Sequence, residues 1–134
     1  MVTLLHIQTP GQGLLEITER VRDVVAAANV REGLCTVFIR HTSASLIIQE
    51  NADPSARRDL EAWMKRLVPE GDPLYTHNDE GPDDMPAHVK AALTAVSISI
   101  PVLDGKMVLG TWQGIYLWEH RRKPHRREVV VRVG

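Results

Sequence analysis

A chain of 134 residues, 43% of them hydrophobic, has the length of one domain with a real core, and a second independent core does not fit. Lys and Arg number 16 against 17 Asp and Glu, a net charge of −1, which argues against nucleic-acid binding by bulk charge but leaves local patches open. The single cysteine, Cys35, excludes an intramolecular disulfide.

Along the chain, residues 2–8 alternate well enough for a strand, and Thr9-Pro10-Gly11-Gln12-Gly13 breaks it. The start lacks a basic stretch followed by an apolar one, so it does not read as a signal peptide. No run approaches the ~20 apolar residues of a membrane span, and the cytoplasm is the expected compartment. Thr18 is a candidate N-cap for a helix reaching Asn29, with Val21, Val24, Val25 and Ala28 as one apolar stripe. Residues 34–40 form a β-rich run in which Cys35 reads as a small core side chain. His41-Thr42-Ser43-Ala44-Ser45 interrupts it and Leu46-Ile47-Ile48 resumes.

Asp53 and Pro54 open a second helix, with Leu60, Trp63, Met64 and Leu67 as its expected buried stripe. Residues 69–86 follow as a polar loop with Pro69, Pro73, Pro82 and Pro86. Loops beyond ~12–15 residues are uncommon in compact domains and often functional. A short helix is expected over residues 86–93. Val96 to Ile100 alternates as a strand with one wet face, and Asp104-Gly105 signals a hairpin into a strand over residues 106–119. Residues 128–133 close the chain as a strand. Six or so strands and three helices without regular βαβ alternation predict a single α+β domain over residues 1–134, mainly antiparallel.

The residues suited to chemistry lie in the turns. His41 ends an apolar strand beside three hydroxyls, and His77 and His88 flank an acidic, proline-bound loop. Imidazole is a common neutral metal ligand that titrates near physiological pH, and two or three imidazoles with a carboxylate suit zinc. Loop histidines beside acids with no shared site is the competing reading, and no CxxC or HExxH pattern decides between them. Gly110-Thr111-Trp112-Gln113-Gly114 reads either as a bulge that packs its tryptophan or as a close ligand approach. In the basic run of residues 120–127, Arg121 abuts Glu119 at a strand end. Arg122 to Arg127 read as a solvated hairpin loop.

Together these segments resemble the YjbQ family, also called the secondary thiamine-phosphate synthase family. The resemblance is carried by His41-Thr42-Ser43-Ala44-Ser45-Leu46, by Glu50-Asn51-Ala52-Asp53-Pro54 with Arg58-Asp59, and by Tyr75-Thr76-His77. It continues through the run from Glu80 to Lys90 and through Gly110-Thr111-Trp112-Gln113-Gly114-Ile115 to Glu119-His120-Arg121. It implies a β-sandwich-like core packed by two to three helices, a homotrimer, and a weak or secondary thiamine-phosphate synthase activity. That reaction joins a pyrimidine diphosphate to a thiazole phosphate and releases pyrophosphate. The candidate site is then His41, His77 and His88 on a divalent metal (zinc or magnesium), with His88, Glu119 and Arg121 catalytic. Thr42, Ser43, Ser45, Asn51, Asp84, Trp112 and Gln113 would bind a phosphorylated substrate. The alternative is a non-catalytic trimer that binds a phosphorylated metabolite or anion. Ala95, Asn78 and Pro124-His125 depart from the family pattern, so no role is expected of residues 123–127.

Overall fold

The computed structural model describes residues 1–134. In chain order its elements are β1 (Val2–Gln8), β2 (Gly13–Glu16), α1 (Thr18–Ala28), β3 (Glu32–Ile39), β4 (Ala44–Glu50), α2 (Pro54–Leu67), α3 (Asp84–Leu93), β5 (Ser97–Leu103), β6 (Lys106–Met107), β7 (Gln113–Glu119) and β8 (Arg126–Val133). Two antiparallel sheets result, one ordered β1-β8-β3-β5-β6 and one ordered β2-β7-β4. The fold is α+β. Inward residues of both sheets, among them Cys35, Val37, Ile39, Leu46, Ile115, Leu117 and Val131, meet in one core of 17 buried residues. Each such side chain contributes about 1.5–3 kcal/mol on burial.

Local chemistry accounts for most boundaries. Helix α1 buries Val21, Val24 and Val25 against that core, and Asn29 ends it in the left-handed region at φ 53°. Thr18 lies inside the helix rather than capping it. Its hydroxyl donates to Glu16 Oε2 at 2.7 Å and accepts the Ile115 N–H at 2.9 Å, tying α1 to β7. Asp53 does cap α2, accepting the Ser55 N–H at 2.9 Å, with Pro54 at the first helical position. Asp104 and Gly105, at φ 53° and 77°, make the tight turn between β5 and β6.

Three expectations change. The strand expected over residues 106–119 is two strands in different sheets: β6 ends at Met107, residues 108–112 cross over, and β7 starts at Gln113. The Gly110 N–H donates to Gln113 Oε1 at 2.8 Å and fastens that crossing. The four-residue β2 is additional. Of the α2 stripe only Met64 is buried, while Trp63 and Leu67 remain about half exposed. With Val68, Met64 covers the outer face of β7 against Leu14, Tyr116 and Trp118. Strand β7 is therefore covered on both faces, which explains its unbroken apolar run Ile115-Tyr116-Leu117-Trp118.

Candidate metal centre

Helix α3 starts two residues earlier than its proline suggests, at Asp84. Asp84 and His88 are thus i and i+4 on one helical face. The preceding loop folds back and brings His77 to the same carboxylate. His77 Nε2 lies 2.9 Å and His88 Nε2 3.3 Å from Asp84 Oδ2, with the two rings 5.4 Å apart. One donor atom from each of the three residues lies within 4.8 Å of the others. The Asp84 side chain is 2% exposed, against 29% for His88 and 51% for His77, so a buried carboxylate forms the floor of a surface site.

The floor is held by Arg121. Its Nη1 donates to Asp84 Oδ1 at 3.0 Å, its Nε to Asp83 Oδ2 at 3.0 Å, and its Nη2 to the Glu80 carbonyl at 2.9 Å. Burial works against a charged Asp83, yet the guanidinium and the Arg122 N–H hold its carboxyl below the usual carboxylate range. The same Asp83 bond, against the cost of burial, raises Arg121 further above its ordinary value.

The ring of His88 is fixed by a second bond. Its Nδ1 lies 2.9 Å from the Thr42 carbonyl, which can only accept, so Nδ1 carries the hydrogen. In the neutral ring Nε2 is then a bare lone pair facing a carboxylate oxygen. Two acceptors at 3.3 Å need a proton or a cation between them. An outer N–H bond of this kind is the usual orienter of a metal-bound histidine.

Beside the His77-Asp84-His88 cluster runs a buried ionic knot. Glu119, fully buried, accepts the Thr9 hydroxyl at 2.8 Å, the Arg127 Nε at 2.8 Å and the Arg121 N–H at 3.1 Å. Arg127 Nη2 makes a further bond to Glu119 Oε2 and donates to Ser43 Oγ at 3.0 Å. This pair stitches β7 in one sheet to β8 in the other.

The family model for UPF0047 proteins of the YjbQ-like type matches residues 3–134. The chain belongs to the YjbQ-like UPF0047 family. A UPF0047 protein of Synechocystis is 54% identical over 131 residues, covering 98% of this chain and 89% of its own. UPF0047 protein YjbQ of Salmonella typhimurium is 41% identical over 120 residues, covering 89% and 86%. A conserved hypothetical protein from Thermus thermophilus superposes with a TM-score of 0.88 at 34% identity, covering 98% of this chain and 99% of that one.

In this YjbQ-like domain the sequence-derived site residues separate into groups. His77, His88, Asp84 and Arg121 come together, with the Thr42 backbone behind them. His41 stands apart: its Nε2 accepts the Glu128 N–H at 2.8 Å, and burial followed by Arg127 lowers its pKa, so the expected trio of imidazoles becomes a pair plus Asp84. Glu119 is locked in the ionic knot, and Ser43 serves Arg127. Ser45 Oγ lies 2.9 Å from His120 Nε2, deep in the core. Asn51 donates to Glu16, and Gln113 holds the Gly110 turn. Trp112 is 63% exposed. Arg127, expected in a solvated loop, is 4% exposed. The third donor, Asp84, had a readable signal in its i, i+4 spacing from His88; its engagement by Arg121 from 37 residues away had none.

Proposed function

We propose that this YjbQ-like protein is a divalent-metal enzyme acting on phosphorylated small molecules, with His77, Asp84 and His88 as the protein ligands. The observation that carries this is the convergence of His77 Nε2 and His88 Nε2 on the buried Asp84 Oδ2, with the His88 ring pinned by the Thr42 carbonyl. Two imidazole nitrogens and one carboxylate favour zinc over magnesium, which prefers oxygen ligands and retained waters. Three protein ligands would leave a position for water or for a phosphate oxygen, and the metal would supply charge stabilisation there. Arg121 acts as a positioning residue in this reading, because three of its five N–H donors already hold Asp83, Asp84 and Glu80.

The reaction proposed is the thiamine-phosphate synthase reaction as a secondary activity: a pyrimidine diphosphate couples to a thiazole phosphate and pyrophosphate leaves. The reading rests on what the sequence resemblance implies, together with a site suited to oxyanion charge. Homotrimeric assembly is part of the same proposal. The outer face of the five-stranded sheet carries an apolar row in register across β1, β8 and β3, with Leu4 and Phe38 exposed and Val130 between them partly buried. Sedimentation velocity would give the mass of three chains.

The test is pyrophosphate release by metal-stripped protein before and after zinc is restored. Activity should appear only with metal and vanish in Asp84→Asn, with circular dichroism showing that the variant remains folded. Turnover by the stripped parent, or by Asp84→Asn, equal to that of the zinc-restored parent would overturn the proposal. Metal and phosphate binding without turnover would leave the trimeric metabolite binder as the surviving reading.

A further inference from the structure

Behind the metal centre lies a second cluster that the proposed reaction does not use. Lys90 is two residues beyond His88 on α3 and so points away from the metal face. The residue is 4% exposed, and its ammonium, which donates to no group of the chain, keeps its contact with solvent through the cavity it borders. Buried lysines are ordinarily paired. This one borders a cavity of about 140 Å³ whose wall also holds Gln12, Glu61, Lys65, Trp118 and His120. The only carboxylate there, Glu61, is occupied: its Oε2 accepts the Leu14 N–H at 2.8 Å. Two ammonium groups therefore face a single, already engaged acid.

His120 completes the wall. It is 1% exposed, its Nε2 lies 2.9 Å from Ser45 Oγ, and its Nδ1 has no partner in the protein. A larger groove of about 380 Å³ shares Gln12, Lys65 and Lys90 with the cavity, so the ammonium can be reached from solvent. Glu70 lines that groove but is paired with Arg122.

We propose that this cavity is a binding site for a small inorganic oxyanion, held by the Lys90 ammonium with Lys65 at the entrance. Charge excludes a cation. At about 140 Å³ the cavity itself has room for one compact ion. The site goes beyond the metal reading, since it shares α3 with the metal centre but none of its ligands.

The experiment is calorimetric titration of chelator-treated, full-length protein with inorganic phosphate. One saturable site per chain is expected, unchanged in His77→Ala, which separates it from the metal centre. Lys90→Met should weaken binding at least tenfold, while Lys90→Arg should retain most of it. Lys65→Met, at an exposed position, should cost severalfold and guards against a Lys90 variant that does not fold. Absence of saturable binding to the parent, or equal binding by Lys90→Met, would overturn the proposal. So would borohydride trapping of an aldehyde on Lys90 without phosphate affinity, which would mark a reactive amine instead.

Discussion

Glu119→Gln probes whether the conserved shape of a carboxylate is enough for the ionic knot or whether its charge is required. The substitution keeps the volume but turns one oxygen into an amide NH2 facing Arg127 and the Thr9 hydroxyl, both of which donate to it. Both side chains of the pair are at most 5% exposed, so Arg127 would be left as an uncompensated buried charge. Breaking one partner of such a pair costs about 3–5 kcal/mol. With an unfolding entropy of about 2.1 cal/mol/K per residue, 134 residues give about 0.28 kcal/mol/K. The melting temperature should therefore fall by about 11–18 °C. Differential scanning calorimetry with chelator in every sample reads this without interference from bound metal. Replacing both partners, as Glu119→Leu with Arg127→Met, should recover much of the loss, because an apolar pair leaves no orphan charge. A Glu119→Gln midpoint within about 3 °C of the parent would refute the knot as a structural element.

Other outcomes follow from the same contacts. Burial, with Lys90 and Arg127 nearby, depresses the His120 pKa from 6.5 to about 3, so folded His120 stays neutral while the unfolded chain takes up its proton. Stability should fall as pH drops from 6.5 towards 3, by at most about 5 kcal/mol from this group at ~1.4 kcal/mol per unit. His120→Gln should flatten urea-derived stability over that range, and an unchanged slope would count against it. Arg121→Lys keeps the charge but not the fork that holds Asp83 and Asp84; metal affinity, read by chelator competition, should drop about 10–100-fold. Asp53→Ala removes the α2 cap and should lower the midpoint of a thermal melt; an unchanged midpoint would count against the cap.

What the sequence discloses here follows how local each cause is. The α1 stripe, the Asp53-Pro54 cap and the Asp104-Gly105 turn depend on neighbours within a few residues, and each appears where periodicity and turn chemistry put it. The alternation of β5 reports one wet face directly. By contrast, the break between β6 and β7 depends on which sheet each half joins, and no local residue states that. Strand β2 exists because Leu14 and Leu15 find register with Trp118 and Leu117, more than 100 residues away. The fate of the histidines divides in the same way. Asp84 and His88 are neighbours by helix geometry, whereas His41 is diverted by a backbone N–H from β8, a partner that only the folded chain supplies. Trp63 and Leu67 follow a helical stripe faithfully, but of that stripe only Met64 is buried, against Leu14, Tyr116 and Trp118.

The most direct test of the account is elemental analysis of protein reconstituted with zinc and freed of excess by gel filtration. The parent should carry about one zinc per chain, the stoichiometry of a three-ligand site, and His88→Ala and Asp84→Asn should carry almost none. A parent without stoichiometric metal, or variants that retain as much as the parent, would contradict the assignment of His77, Asp84 and His88 as one centre.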